Sequence, residues 1–182
     1  KRQVKERVKT IAPFLDFMDE PYLISIPILT KDRPEMQKQN QFWIVDAYTT
    51  SKTYPYSTSI KGEYEFRYIR NSVKAIVDAY NGSVKLYISE PEDPIIQGWQ
   101  NVFPNLFSQI KLMPNNIKEH LKVPTELFKI QVSQLLRFHV EDPRTFYAGD
   151  DVWEVPKELY GKEQISVSPY HIIAQLDLKK KP

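Results

Sequence analysis

The run SVKAIVDAYNGSVKLYIS (residues 72–89) carries the strongest short-range structural signal in the chain. Two stretches rich in β-branched residues flank the dipeptide Asn81-Gly82. Both turn residues readily adopt the positive φ that a tight hairpin turn requires. The run therefore predicts an antiparallel hairpin that closes at residues 81–82.

Half of this hairpin has a second copy earlier in the chain. The pentapeptide IVDAY occurs at residues 44–48 and again at residues 76–80. Alternate residues of a strand share a face, so Val and Ala lie on one side and Ile, Asp and Tyr on the other. We expect the small Val-Ala side to face the core and the Asp-Tyr side to be partly open. The two copies indicate an internal pseudo-repeat.

Proline marks where the other elements begin and end. Helical spacing in residues 3–18 is stopped by Pro13, and the β-rich run 21–28 contains Pro27, which suits an edge strand or a strand end. Three later helices are announced by Asp93-Pro94, by Pro124 and by Asp142-Pro143. The run 166–178 predicts a last strand.

Strands followed by helices and a final strand predict an α+β fold, in which an antiparallel sheet built from hairpins carries helices on one face. A chain of 182 residues is long enough for one good-sized domain. We therefore expect a single domain over residues 1–182. It is β-rich over 1–90 and helical over 91–148, and it has a C-terminal strand segment over 149–182.

The composition excludes several classes of function. Basic and acidic residues number 25 and 23, so the chain lacks the basic stripe that nucleic-acid binding needs. It contains no cysteine, which excludes disulfides, Cys-ligated zinc and thiol catalysis. With 5 glycines and no Walker loop or dinucleotide fingerprint, a phosphate cradle is hard to build. No cofactor is expected.

Most of the acidic clusters have a local explanation. Acids beside proline-started helices are expected to cap the partial positive charge of the helix N-terminus. The cluster Asp150, Asp151 and Glu154 is less well explained, because three carboxylates could bind a calcium ion. It lacks the 12-residue loop pattern with a central glycine, so it is only a weak metal candidate.

The clearest candidate for a binding surface begins where the repeat diverges. After the first copy the chain continues as TTSKTYPYS (residues 49–57), rich in hydroxyls and tyrosines, instead of a tight turn. Such loops offer adaptable hydrogen bonds and rigid aromatic surface. The predicted ligand-binding residues are Asp46, Tyr48, Thr49, Thr50, Ser51, Tyr54, Tyr56, Asp78 and Tyr80.

Two structural alternatives stand beside this prediction. Each Asp of the repeat could accept N–H bonds from its own turn, as in Asx-type motifs. The aromatic loop could also fold onto its own domain. On either alternative, these residues support architecture and bind no ligand.

Several longer motifs resemble a known family. They are FWIVDAYTTS (42–51), YPYS (54–57), YIRNSVKAIVDAYNG (68–82), PEDPII (91–96), FPNLF (103–107), the helix from Pro124 to His139 and DDVWEVP (150–156). Together they are similar to uncharacterised protein family 0182, large bacterial multi-pass membrane proteins with no assigned activity. The resemblance implies that this chain is an extracytoplasmic segment of a membrane protein.

A second likeness covers only residues 77–82. The hairpin end VDAYNG is similar to the PepSY module, an extracytoplasmic repeat linked to the regulation or binding of envelope proteins. The first copy of the repeat departs from that module because it lacks the glycine. The analogy therefore extends to one copy at most.

These observations lead to three functional hypotheses. The first is a non-catalytic binding or interaction domain on the extracytoplasmic side of a bacterial membrane, with a protein or an envelope polymer as partner. The second is a hydrolase of cell-envelope polymers that uses Asp46 and Asp78 as a carboxylate pair. The third is a structural scaffold segment of the full-length membrane protein, which predicts an exposed apolar patch without a pocket.

Overall fold

The computed structural model describes residues 3–28, 38–57, 59 and 65–172. The chain divides into two compact units, residues 1–127 and residues 128–182, and each is described by itself. The single domain expected over residues 1–182 stays a prediction. The α+β fold class is confirmed by a mainly antiparallel sheet with accompanying helices.

The first unit contains a five-stranded sheet in the order β1-β2-β3-β4-β5. Its elements are α1 (Val4–Ile11), β1 (Tyr22–Ile28), β2 (Lys38–Ser51), β3 (Tyr68–Asp78), β4 (Val84–Ile88), α2 (Pro94–Val102), β5 (Phe107–Gln109), a 3₁₀ turn (Ile110–Leu112) and α3 (Asn115–Lys118). Neighbouring strands from β1 to β4 are antiparallel, and β5 runs parallel to β4. β1 is an edge strand, as Pro27 predicts.

The predicted hairpin is formed by β3 and β4. The last pair in its register is Val77 with Val84, so the connection is longer than the two residues expected. The Asp78 carboxylate accepts the backbone N–H groups of Tyr80 at 2.8 Å and Asn81 at 2.9 Å. The backbone also pairs here, since the Asp78 N–H donates to the Ser83 carbonyl at 3.0 Å and the Gly82 N–H donates to the Asp78 carbonyl at 2.9 Å. The carboxylate of Asp78 thus supports the turn from inside, as in an Asx-type motif.

Gly82 is needed in this turn because of its backbone conformation, and a side chain here would also displace the Arg7 guanidinium. Its φ is +72°, a conformation that other residues adopt at a cost. A Cβ at this position would also lie 2.3 Å from Nη1 of Arg7. Arg7 reaches from α1 and donates from Nη1 to the Gly82 carbonyl at 2.8 Å. The turn and the first helix are therefore joined at a point where only glycine fits without strain.

Both faces of the sheet are buried. On one face, small side chains of β2 and β3 pack against α1 and α2; the cluster includes Val8, Ala12, Val45, Ala47, Val73, Ala75, Val77 and Ile96. The Val-Ala face of the first copy therefore lies in the core, as the pattern predicts. In the second copy Val77 is buried, but Ala79 lies in the turn and is exposed, so the prediction is wrong for that residue. On the other face, isoleucines of β1, β2 and β3 pack under Met113 and Ile117. The expectation of a partly open Asp-Tyr face is wrong for the first copy, because Ile44, Asp46 and Tyr48 are all buried.

A bulge interrupts the pairing of β2 with β3. Ala47 lies opposite Val73, but Thr49 lies opposite Arg70, so β3 has one extra residue at this point. Such an insertion bends the strand and re-aims side chains. The bulge lies next to Tyr48, at the end of the first copy of the repeat.

Most of α4 (Thr125–Phe138) belongs to the second unit, and its first turn belongs to the first unit. It also contains α5 (Pro143–Ala148) and a two-stranded sheet of β6 (Lys157–Tyr160) and β7 (Glu163–Ser166). The predicted last strand at 166–178 is wrong for 167–172, which are irregular, and 173–178 lie outside the described residues. The hairpin formed instead turns at Gly161, with φ +66°.

Candidate functional site

Asp46 lies inside the sheet and pairs with Lys74. The two residues face each other in the register of β2 and β3, and their side chains form a short ion pair. Only 4% of Asp46 and 6% of Lys74 is exposed. Burial raises the pKa of Asp46, and the Lys74 ammonium offsets part of that rise. The carboxylate is thus committed to an internal partner and is closed to a ligand.

Tyr48 is fully buried, and its hydroxyl donates to Oδ2 of Asp19. Burial raises the pKa of Tyr48 above its usual range, and the Asp19 carboxylate raises it further. The other oxygen of Asp19 accepts the backbone N–H of Glu126 at 3.0 Å. Tyr48 and Asp19 therefore hold the first turn of α4, where helical N–H groups lack intrahelical partners.

A second contact fixes the segment that leads into α4. The Tyr22 hydroxyl accepts the backbone N–H of Lys122 at 3.1 Å. The Lys122 ammonium lies 4.7 Å from the centre of the Tyr22 ring, a cation–π distance. Burial raises the pKa of Tyr22 to about 12, although the Lys122 N–H partly offsets this. Tyr22 and Tyr48 thus both serve as anchors for the chain.

Thr49 belongs to a buried cluster centred on Asp93. Oδ2 of Asp93 accepts from Thr49 Oγ1 at 2.5 Å and from Ser72 Oγ at 2.6 Å. Oδ1 accepts from the Tyr68 hydroxyl at 2.6 Å and from the Ile95 N–H at 3.1 Å. Burial alone would raise the pKa of Asp93, but these donors outweigh it and hold the pKa below its usual range. The predicted N-cap at Asp93 is confirmed by the bond from the Ile95 N–H. The same carboxylate also binds three side-chain hydroxyl groups of the sheet.

One polar atom at the bulge is not satisfied. Asn71 is 7% exposed, and its Nδ2 has no hydrogen-bond partner in the described part of the chain. Its amide is near enough to lower the pKa of Asp46, although the geometry of a hydrogen bond is not met. A buried amide nitrogen of this kind costs stability, because its lost hydration is not replaced by a hydrogen bond.

The remaining residues of the predicted loop are at the surface. The Thr50 hydroxyl donates to Asp16 at 2.5 Å, and Ser51 makes a local contact with Thr53. Tyr54 is half exposed and stacks on Tyr68 with the ring centres 5.3 Å apart. Tyr56 is fully exposed and has a φ of 59°. Thr50 and Tyr54 therefore fold onto the domain, whereas Tyr56 presents aromatic surface to the solvent. That this loop binds a ligand stays a prediction.

The structure does not bring Asp46 and Asp78 together. Asp78 lies opposite Phe42, four residues along β2 from Asp46. At the rise of a β-strand this separation is about 13 Å. Glycosidases need about 5–5.5 Å or 6.5–9.5 Å between their carboxyls. Asp46 is paired with Lys74 and Asp78 binds its own turn, so the hydrolase hypothesis loses its catalytic pair.

The weak metal candidates and Tyr80 are exposed. Asp150, Asp151 and Glu154 all lie at the surface of the second unit. Among the residues that the structure describes, no three His, Cys, Asp or Glu side chains are grouped to hold a metal ion. Tyr80 is 69% exposed in the hairpin turn that Asp78 supports.

The second unit contains a groove that the sequence pattern did not predict. Its volume is about 530 Å³, and it is open to solvent. The lining residues are Phe128, Lys129, Val132, Ser133, Leu136, Val155, Pro156, Ser166, Val167, Ser168, Pro169 and Tyr170. The sequence feature from which the groove could have been inferred is the apolar stripe of α4, in which Phe128, Val132 and Leu136 recur at helical spacing.

Large apolar side chains are exposed throughout the second unit. They include Leu135, Phe138, Tyr147, Trp153, Leu159, Tyr160, Tyr170 and Ile172. Of the described residues 128–172, none is buried. Local contacts exist, since Trp153 stacks on His139 with ring centres 3.9 Å apart and donates its backbone N–H to the Leu136 carbonyl at 3.1 Å. They leave most of the apolar surface in water.

Within the described part of the chain, no helix is long and apolar enough to cross a bilayer. Comparisons with known proteins place the sequence in a family. The family model described as "Uncharacterised protein family (UPF0182)" matches residues 1–182. No solved structure matches the chain.

Curated relatives carry the same description. A UPF0182 protein of Prochlorococcus marinus (strain MIT 9303) is 60% identical over 176 residues, which are 97% of this chain and 18% of that protein. One from Synechococcus sp. (strain CC9311) is 58% identical over 97% of this chain and 19% of its own length. One from Synechococcus elongatus is 50% identical over 97% of this chain and 18% of its own length. The chain spans about a fifth of the length of these relatives. The match over its whole length shows that this chain belongs to the uncharacterised protein family UPF0182.

Proposed function

We infer that this chain is a non-catalytic binding and interaction domain, and that its docking surface is the apolar groove of the second unit. The observation that carries this proposal is the groove of about 530 Å³, in a unit where none of the described residues is buried. Binding pockets typically enclose about 300–1,000 Å³ with mainly apolar walls and a few polar groups. The groove has these properties.

The energetics of the second unit support the same proposal. Apolar surface left in water forgoes about 25 cal/mol per Å² of stabilisation. Large side chains such as Phe138, Trp153 and Leu159 are more than half exposed, and exposed apolar side chains that form large contiguous patches usually mark interaction sites. A partner that covers this surface would recover that free energy.

The groove also separates this proposal from its two alternatives. A pure scaffold predicts an apolar patch without a pocket, whereas this surface is concave. An envelope hydrolase requires accessible carboxylates in a cleft, and Asp46 is sealed in an ion pair with Lys74. Docking of an apolar partner is the function that fits both observations.

Thiol labelling tests the proposal, because the chain has no cysteine of its own. Ser133→Cys places a near-isosteric thiol in the groove, and Gln134→Cys places one on the exposed helix surface outside it. In the full-length family protein we expect maleimide to modify residue 133 more slowly than residue 134 by roughly tenfold or more, as for a site that reacts only on local opening. Equal rates at the two positions would contradict the proposal.

We further propose that the domain lies on the extracytoplasmic side of a bacterial membrane and that its parent protein is membrane-embedded. The support is the family resemblance of the motifs at 42–51, 68–82 and 150–156. The test is protease accessibility of an epitope inserted at the Gly161 turn of the full-length protein in spheroplasts. Cleavage in intact spheroplasts is expected, and protection until lysis would place the domain on the other side.

A further inference from the structure

The groove has a chemical character that limits what can fill it. Phe128, Val132 and Leu136 of α4 form one wall, and Val155 and Pro156 contribute to the remainder. Of the described residues that line the groove, Lys129 alone has a charged side chain. Apart from the Lys129 ammonium, the described walls offer a charged group no counter-ion, so such a group would lose its hydration with little in return. The occupant is therefore apolar and uncharged where it contacts the walls.

The hairpin beside the groove indicates that the occupant is a polypeptide. Within the described residues, β6 and β7 pair only with each other, and all eight of their residues are exposed. An isolated two-stranded hairpin is marginally stable in water. Its open edges can accept a further strand through main-chain hydrogen bonds. A polypeptide segment can cover the apolar wall and also pair with an edge, whereas a lipid chain can do only the first.

The length of the matched relatives indicates where that segment comes from. This chain covers 18–20% of the relatives it matches, so about four fifths of such a protein lies outside the matched stretch. A segment of the same polypeptide is present at an effective concentration that reaches the millimolar range for short flexible linkers. A segment of the same polypeptide would then reach the groove without a separate molecule having to bind.

We propose that the groove is filled by an uncharged, aliphatic segment of the same polypeptide, contributed by the part of the family protein outside these 182 residues. The inference rests on the proposed function, since it names the partner of the same groove. It makes the second unit a docking point between this domain and the remainder of its own protein.

Site-specific photo-crosslinking in the full-length family protein tests the identity of the occupant. Phe128 is replaced by p-benzoylphenylalanine, which keeps an aromatic ring in the groove wall. Gln134, exposed on the same helix and outside the groove, carries the probe in the control. Irradiation is expected to give a product of monomer mass, with peptides joined to residue 128 that map outside this chain. The control should give no such peptide above background.

Each of the other possible results overturns the inference, and each shows whether the proposed function also fails. A product of dimer mass, a lipid adduct or a second protein would name a different occupant and leave the proposed function standing. Slow thiol labelling at residue 133 without any crosslink from residue 128 would also count against the inference alone. Rapid labelling at residue 133 together with no crosslink would overturn both the inference and the proposed function.

Discussion

Asp93 is a buried carboxylate of the first unit on which four donors converge. It receives three hydroxyl hydrogen bonds, from Thr49, Ser72 and Tyr68, and one from the Ile95 N–H. We expect Asp93→Asn to lower the free energy of unfolding by about 2–4 kcal/mol at neutral pH, because the amide exchanges one accepting oxygen for a donor. Urea denaturation of the 182-residue chain measures this loss.

Asp142→Asn is the matched control for that substitution. Asp142 also precedes a proline-started helix and accepts the Thr145 N–H at 2.9 Å, but it is exposed. We expect a much smaller loss, because water can replace the carboxylate there. Equal losses at the two positions would show that Asp93 acts only as a helix cap.

The low pKa of Asp93 makes its contribution depend on pH. Its pKa is lowered in the folded state, so the unfolded chain binds the proton more readily. The stabilisation is therefore fully present above the unfolded pKa of about 3.9 and is lost as pH falls through the folded pKa. The stability difference between wild type and Asp93→Asn should shrink as pH drops below about 4. Denaturation series at several pH values check this, and a difference that grows on acidification would contradict it.

The buried pair of Asp46 and Lys74 is expected to show strong coupling. Lys74→Met alone leaves a buried carboxylate without its cation, and such losses cost about 3–5 kcal/mol. Asp46→Val with Lys74→Met removes both charges and should restore most of the stability. A double-mutant cycle by denaturation measures the coupling. Additive losses would show that the two charges do not depend on each other.

At the scale of elements, two glycines are predicted to respond to alanine with opposite signs. Gly82→Ala should destabilise by about 1–2 kcal/mol, since alanine is strained at the φ of +72°. Gly98 lies inside α2, and nothing lies within 4 Å of the position that an added methyl group would take. Gly98→Ala should therefore stabilise by about 0.5–1 kcal/mol. Thermal unfolding of the two variants checks both signs, and a shift in the same direction would refute the backbone argument.

The elements that could be predicted from the sequence are those set by neighbouring residues. The hairpin at 72–89 and the caps at Asp93 and Asp142 depend on contacts a few positions apart. The burial of Asp46 and Tyr48 depends on Lys74 and Asp19, 28 and 29 residues away in the chain. Strand alternation places a residue on a face but does not say what covers that face. For this reason the sequence predicts an open Asp-Tyr side and does not predict the groove at all.

At the scale of the whole molecule, the two units differ in how they bury apolar surface. The first has two hydrophobic clusters, one on each face of its sheet. In the second, the described residues form a groove and an exposed hairpin. The curated relatives extend far beyond this stretch. The apolar residues that the described part of the second unit leaves in water are the surface that the proposed covering segment would bury.

This difference predicts unequal hydrogen exchange within the 182-residue chain. Backbone amides of β2 and β3, central in the five-stranded sheet, should exchange only on global unfolding. Amides of β6 and β7 should exchange through local openings of much lower free energy, because every residue of that hairpin is exposed. Exchange followed by mass spectrometry of peptic peptides separates the two. In the full-length family protein the hairpin should gain protection while β2 and β3 change little, since only the second unit acquires a covering segment. Equal protection of both units in the 182-residue chain would mean that residues 128–172 are stable without a partner, and the need for a covering segment would disappear.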